Sequence, residues 1–323
     1  SPGGPDLPDR IVIEDRPTRA DKIFGLVTSA AGVSVLALLG LVGLFLLLRS
    51  REAFDVMGLE FFSTLEWRTD SDPPRIGVLG LLTGTVIVAV IAVIIAIPLG
   101  TCSALYITDY ASARVRKLLT NLVDLLAAIP SLLYGIWGFL YLGTKIAPLS
   151  EFLADHFGWI PFFATQENAN FTGSMFIAGI VVSLMVLPII ASVSREVFAQ
   201  APPAEKEAAL ALGGTRWGMV RTVVLPFGRG GIVGGSMLGL GRALGETIAV
   251  SLLLPQVPEV VVRILENGGA TISGFIALRA GGNDFTVSGL MAAGLVLFFL
   301  TLATNMTASV VISRSRSGAG VDA

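Results

Sequence analysis

The chain has 323 residues, 53% of them hydrophobic and only 14% charged, with a mean hydropathy of +0.78 and a formal net charge of −2. So little charge cannot cover a soluble fold of this size, and several apolar runs of about 20 residues or more point to an all-α polytopic membrane protein. One cysteine, Cys102, and one histidine, His156, exclude an internal disulfide and a multi-cysteine metal site and leave little room for paired-imidazole chemistry, so no metal or cofactor is expected.

The first 22 residues, SPGGPDLPDRIVIEDRPTRADK, are polar, acidic and rich in proline. They lack the basic start and short apolar core of a secretory signal, and the apolar run at 23–48 is too long to be one. They read as a solvated cytoplasmic tail before an uncleaved span. Hydropathy predicts six spans, at about 23–48, 76–106, 118–142, 173–194, 230–254 and 287–312, with a C-terminal tail at 313–323. The second is long enough to tilt or to run into solvent past Pro98, and Pro130 and Pro188 fall inside the third and fourth, where kinks are expected.

Basic residues set the orientation. Arg10, Arg16, Arg19, Lys22, Arg114, Arg116, Lys117, Arg195, Lys206, Arg216, Arg221, Arg229, Arg314 and Arg316 fall on one side. Arg49, Arg51, Arg68, Arg75, Lys145, Arg263 and Arg279 fall on the other, half as many. The excess marks the cytoplasmic side and places both termini there. The first external connection carries six acidic residues beside its four basic ones and reads as a surface segment of its own.

The long connection at about 196–230 is not a plain loop. Pro203 suits a first helical turn, where its missing N–H has no partner to lose. AEKEAALAL is helix-forming, Gly213 and Gly214 supply a left-handed stop, and Thr215 can cap a second helix ending near Pro226. The apolar positions of this hairpin are Leu210, Leu212, Trp217 and Val220. A DNA-binding helix–turn–helix has the same outline, but a hairpin tethered to the membrane at both ends cannot readily reach a groove. Packing on its own bundle and docking into another protein both remain open.

EAALALG followed by VVLP resembles the EAA loop of ABC importer permeases: Glu207, Ala208, Ala209 and Gly213 stand at its spacing and Leu225-Pro226 closes it. Valine replaces the usual isoleucine at Val223, a slight departure. The resemblance implies that this hairpin is the coupling helix, fitted to a cleft on a separate ATPase. The chain has no G-x-x-x-x-G-K-[ST] motif of its own, which agrees with an energy-supplying partner.

GLGRALGETIAV at 239–250 holds Arg242 and Glu246 within an apolar segment. A charge at a membrane centre costs roughly 2.5–3.5 kcal/mol on insertion scales, and residues four apart on a helix can pair. A helical wheel puts Gly231, Gly235, Arg242, Glu246 and Ala249 on one stripe, and the glycine spacing suits close helix approach. The pair reads either as a structural tie fixing helix register or as part of an anion path, since a guanidinium fork suits phosphate oxygens.

GLGRALGETIAV, with LLAAIPSLLYGIWG at 125–138 and GLEFFSTLEW at 58–67, resembles the C-type permease of the phosphate-specific ABC transporter, over about residues 20–312. The resemblance implies a type I ABC importer permease fold in a bacterial inner membrane, without enzymatic activity of its own. It implies half of a phosphate path, with Arg242 and Glu246 in that path. It also implies a second, A-type permease, two ATPase subunits and an external phosphate-binding protein as partners.

Other polar residues read as structural. Asp124 is expected to cap or to pair with Arg114, Arg116 or Lys117; Asn283 and Asp284 read as a turn; Tyr134 and Trp137 suit the interior of a kinked helix. An ion-coupled secondary transporter could also use a membrane Arg–Glu pair, but it has no need of an ATPase-docking hairpin. No serine–histidine spacing suggests an intramembrane hydrolase.

Overall fold

The computed structural model describes residues 18–316, with side chains described for residues 18–310. The polar tails expected at 1–22 and 313–323 thus lie mostly outside the described residues, and residues 19–22 and 313–316 are helical. Among the described residues six helical paths are long and apolar enough to cross a bilayer: Arg19–Arg49, Leu79–Tyr110, Ser131–Phe157, Met175–Ala199, Arg216–Leu244 and Asp284–Val310. Helices satisfy every backbone group within their own segment, which lipid demands.

The chain divides into two compact units, residues 1–45 and 46–323. The described part of the first belongs to α1 (Arg19–Arg49), 31 residues and so about 46 Å long at 1.5 Å per residue. It begins at Arg19 because Thr18 and Asp21 cap each other: the Asp21 carboxylate accepts from the Thr18 N–H at 2.8 Å, and the Thr18 hydroxyl accepts from the Asp21 N–H at 3.3 Å.

In the second unit, α2 (Arg51–Met57), a 3₁₀ turn (Gly58–Phe62) and a two-residue ribbon, β1 (Trp67–Arg68) with β2 (Arg75–Ile76), form a folded first connection. Phe61, Trp67 and Ile76 are buried there against Phe275, and the Ala53 N–H donates to the Ser288 hydroxyl at 3.0 Å. The acidic surface segment expected here is held by an apolar underside.

α3 (Leu79–Leu105) passes through Pro98 and ends in a π turn, Tyr106–Tyr110. Small residues on its buried face (Ala89, Ala92, Ala96, Gly100) admit its main partner, α7. A Cβ at Gly100 would lie 3.1 Å from Ile190 of that helix.

The third span differs from expectation. Residues 113–128 form a separate helix, α4 (Ala113–Ala128), with Arg114, Arg116, Lys117, Asn121 and Asp124 along its polar face. Ile129 is extended before Pro130, as the residue before proline tends to be. The crossing then starts afresh with α5 (Ser131–Trp137), a π turn (Gly138–Leu142) and α6 (Gly143–Phe157). Hydropathy had taken the apolar face of α4 for the start of a span, so Pro130 breaks the chain between two helices where a kink was expected. Asp124 lies 4.0 Å from Arg195, not against Arg114, Arg116 or Lys117.

α7 (Met175–Ala199), capped by the Ser174 hydroxyl, keeps Pro188 within it. Beyond the hairpin helices α8 (Pro203–Ala211) and α9 (Arg216–Met219), the chain runs through a third π turn (Val220–Val224) into α10 (Leu225–Leu244). Pro226 therefore does not end the second hairpin helix. It sits at the start of α10, just after the π turn and within the continuous helical path Arg216–Leu244. The fifth path ends at Leu244, ten residues short of the boundary expected at 254, and a short helix, α11 (Ile248–Leu253), follows. α12 (Ile272–Arg279) and α13 (Asp284–Arg316) complete the unit. Asn283, expected in a turn, caps α13: its Oδ1 accepts from the Thr286 N–H at 2.8 Å.

Candidate functional site

The glycines of α10 let it lie directly on α7. Gly231 faces Val197, Gly235 faces Val193, and Gly239 faces Val186 and Ile190. This seat holds the far end of α10, where Arg242 occupies the last turn. Gly245 then ends the helix, so Arg242 and Glu246 do not share a continuous helical face. The four-residue pairing expected from the sequence is absent. The ion pairs among the described residues are Arg68–Glu66, Arg195–Asp124, Lys206–Asp109 and Arg263–Glu266.

The two charges have different surroundings. Arg242 is exposed and its guanidinium makes no hydrogen bond among the described residues; its place in the last turn of α10 lets the unsatisfied carbonyls there favour a cation. Glu246 is buried, 9% exposed, and serves α11: its Oε1 accepts from the Ala249 N–H at 3.3 Å. Its own carbonyl accepts from the Ser273 hydroxyl at 2.6 Å. The helix break thus answers each charge with a helix end instead of with the other charge.

α11 is fixed at its other end as well. Gln256 donates from Nε2 to the Val250 carbonyl at 3.0 Å and accepts from the Thr271 N–H at 3.2 Å. α5 packs against α11, so close that a Cβ at Gly135 would lie 2.9 Å from the Ala249 Cα. α5 carries Tyr134, whose hydroxyl donates to the Leu126 carbonyl at 3.0 Å across the Pro130 break. Two helices that begin after chain breaks, α5 after Pro130 and α11 after Gly245, therefore pack on each other. Sequence reading set Tyr134 aside and missed Ser273 and Gln256. A hydroxyl in an otherwise apolar run was the available signal for Tyr134; for Ser273 and Gln256 no local pattern pointed to the site. A separate cavity of about 430 Å³, lined among others by Phe139, Thr144, Thr172 and Asn267, has no charged lining residue and does not include Arg242.

The hairpin at the opposite end of α10 has two faces. Pro203 opens α8, Gly213 takes the left-handed φ of +83° that stops it, and the Thr215 hydroxyl caps α9 by accepting from the Gly218 N–H at 3.1 Å. Leu210, Leu212 and Trp217 are exposed together with Glu207 and Ala208, while Ala209 is half-buried. Val220, the fourth apolar position of the hairpin, points inward and packs with Met219 and Val224 against Ala104, Leu105 and Phe198. Leu225 and Pro226 lie where the π turn passes into α10.

Residues 96–316 match the family model described as "Binding-protein-dependent transport system inner membrane component". The chain is 38% identical over 317 residues to "Phosphate transport system permease protein PstC 2" of Mycobacterium tuberculosis, covering 96% of this chain and 98% of that one. The chain belongs to the PstC-type permease family. A PstC permease of Xylella fastidiosa is 36% identical over 322 residues, covering 97% of this chain and 94% of that relative. The fold also recurs in the MetNI methionine ABC transporter (TM-score 0.50, 15% identity, 74% of this chain and 94% of that chain). It recurs as well in an ABC transporter for alginate import (TM-score 0.50, 18% identity, 73% of this chain and 79% of that chain). This PstC-type chain is a multi-pass permease subunit of an ABC importer, a non-catalytic membrane component.

Proposed function

We propose that this permease forms one half of a path for inorganic phosphate. The observation that carries the reading is Arg242: a permanently charged donor fork, exposed at the end of an apolar helix and, among the described residues, with no carboxylate within 4.0 Å. Such a group can take two phosphate oxygens at once. Phosphate is chosen among anions because relatives matching nearly end to end are phosphate transport system permeases. Glu246 acts beside it as a positioning residue, holding the start of α11 in place.

A guanidinium exposed on a single chain needs a second wall, which fits a path shared with a second, A-type permease. Leu210, Leu212 and Trp217, flanked by Glu207, Ala208, Ala209 and Gly213, supply an apolar face of the kind a partner's cleft accepts; each of two ATPases would take a single such hairpin, supplied by one of the two permeases. The two-to-one excess of basic residues puts the hairpin and both termini in the cytoplasm, leaving the opposite end for an external phosphate-binding protein. ATP-driven closure of the ATPases would tilt the spans outward, and hydrolysis would reset them.

The test is uptake of labelled phosphate in cells that lack their own high-affinity system and receive this chain with its cognate partners. Saturable, ATP-dependent uptake is expected. Uptake that survives loss of ATP but not of the membrane potential would refute the importer reading, and transport of a different solute would refute phosphate.

A further inference from the structure

The hairpin is joined to the second span by an ion pair that the docking motif does not require. Lys206, next to Glu207 in α8, places its ammonium 2.8 Å from Asp109 Oδ1. Asp109 lies 97 positions earlier, in the π turn that ends the α3 path. The side chains are 19% and 6% exposed, so the contact is shielded from water and salt. The ammonium also reaches the Phe198 carbonyl at the end of α7, at 3.4 Å. The other carboxylate oxygen, Oδ2, is buried without a hydrogen-bond partner, so among the described residues Lys206 alone answers this carboxylate.

We propose that Lys206 and Asp109 form the mechanical link through which movement of the hairpin reaches the membrane path. The contacts continue inward from Asp109. Its π turn is held from the other side by Arg116 of α4, which donates from Nε to the Ile107 carbonyl at 3.0 Å and from Nη2 to the Thr108 carbonyl at 2.9 Å. α4 leads through the Pro130 break to α5, tied back by the Tyr134 hydroxyl, and α5 lies on α11, the short helix that follows the α10 end carrying Arg242. Behind the ion pair, Phe198, Val220 and Val224 pack with Leu105 of α3, so hairpin, α3 and the end of α7 share one apolar plug. An apolar plug can slide; a buried ion pair with one partner on each element resists sliding. π turns inside α-helices are frequent at functional sites, and one of them carries Asp109. Lys206 and Asp109 are positioning residues on this account, because neither touches the anion.

The inference rests on the reading that the hairpin docks an ATPase. It is tested on the whole complex (this chain, its partner permease, the ATPases and the binding protein) reconstituted in proteoliposomes. Phosphate delivered per ATP hydrolysed is measured for wild type, Lys206→Gln, Asp109→Asn and the exchange Lys206→Asp with Asp109→Lys. Each single variant is expected to co-purify with its partners and hydrolyse ATP, yet to deliver about tenfold less phosphate per ATP, a size typical of coupling between sites. The exchange should recover the ratio to within about threefold of wild type. Single variants with the wild-type ratio, or an assembled exchange no better than either single variant, would overturn the proposal. Failure of Lys206→Gln and Asp109→Asn to co-purify with the ATPase would also overturn it, assigning the pair to docking or folding. A wild-type complex without ATP hydrolysis on phosphate delivery would instead contradict the importer reading, a result distinct from any change in the ratio.

Discussion

Adding one methyl group at two positions on the same face of α10 should have sharply different effects. At Gly239 a Cβ would sit 2.5 Å from Val186 Cγ1 and 3.2 Å from Ile190 Cδ1; at Gly235 its nearest neighbour would be Val193 Cβ at 3.2 Å. Carbon atoms rest at about 3.5–4.0 Å, so the overlap is about 1 Å at the first position and a few tenths at the second. Val186 is fully buried and β-branched, with one strongly preferred side-chain rotamer in a helix, so it cannot swing away. The helix itself must move. Overpacking of this kind costs about 1–3 kcal/mol, whereas the helix-propensity gain of alanine over glycine is common to both variants and cancels in their difference. Gly239→Ala should therefore be less stable than Gly235→Ala by about 1–3 kcal/mol. Thermal unfolding of the purified chain in detergent, followed by loss of the monodisperse species, measures the difference. A Gly235→Ala protein as unstable as Gly239→Ala would refute the register of α10 on α7, and with it the placement of Arg242.

Substitutions at four further positions probe the packing, the site and the hairpin. Thr85→Val keeps the shape but removes the hydroxyl that accepts from the buried Ile272 N–H at 2.9 Å, and should cost about 1–3 kcal/mol in thermal unfolding. Glu246→Gln retains an acceptor for the Ala249 N–H and should keep uptake within about threefold of wild type, whereas Glu246→Leu leaves that donor unpaired at a cost of about 1–3 kcal/mol. Loss of transport in an assembled Glu246→Gln complex would show that the carboxylate charge itself serves the path. Leu212→Ala with Trp217→Ala should weaken ATPase binding in titrations by tenfold or more, since burying one large apolar side chain is worth about 1.5–3 kcal/mol. Both side chains are exposed, so the folding of the free chain should not change.

The number of spans was legible because about 20 apolar residues in a row leave the chain few alternatives to a membrane helix. The hairpin was legible because its punctuation is local: Pro203, Gly213 and Thr215 each act within a turn or two of their own position. The third span was misplaced because a hydropathy window cannot distinguish the apolar face of α4 from the start of a crossing helix. The break at Gly245 was hidden for a different reason. Glycine is common inside membrane helices, so Arg242 and Glu246 read as one turn of a continuous helix. What makes the break affordable comes from distant residues, with Ser273 taking the Glu246 carbonyl and Gln256 the Val250 carbonyl. Such partners become visible only once the chain has folded.

The central claim is that Arg242 takes the anion, and Arg242→Gln tests it most directly. Labelled-phosphate uptake would be compared between wild type and the variant, with the amount of assembled complex measured in detergent extracts of the same cells. The account predicts that the variant assembles to the wild-type level and loses nearly all uptake, because glutamine keeps some hydrogen-bonding capacity but neither the charge nor the two-pronged fork. An assembled Arg242→Gln complex importing phosphate at the wild-type rate would contradict it, and would leave Arg242 a surface charge of α10 with no part in the path.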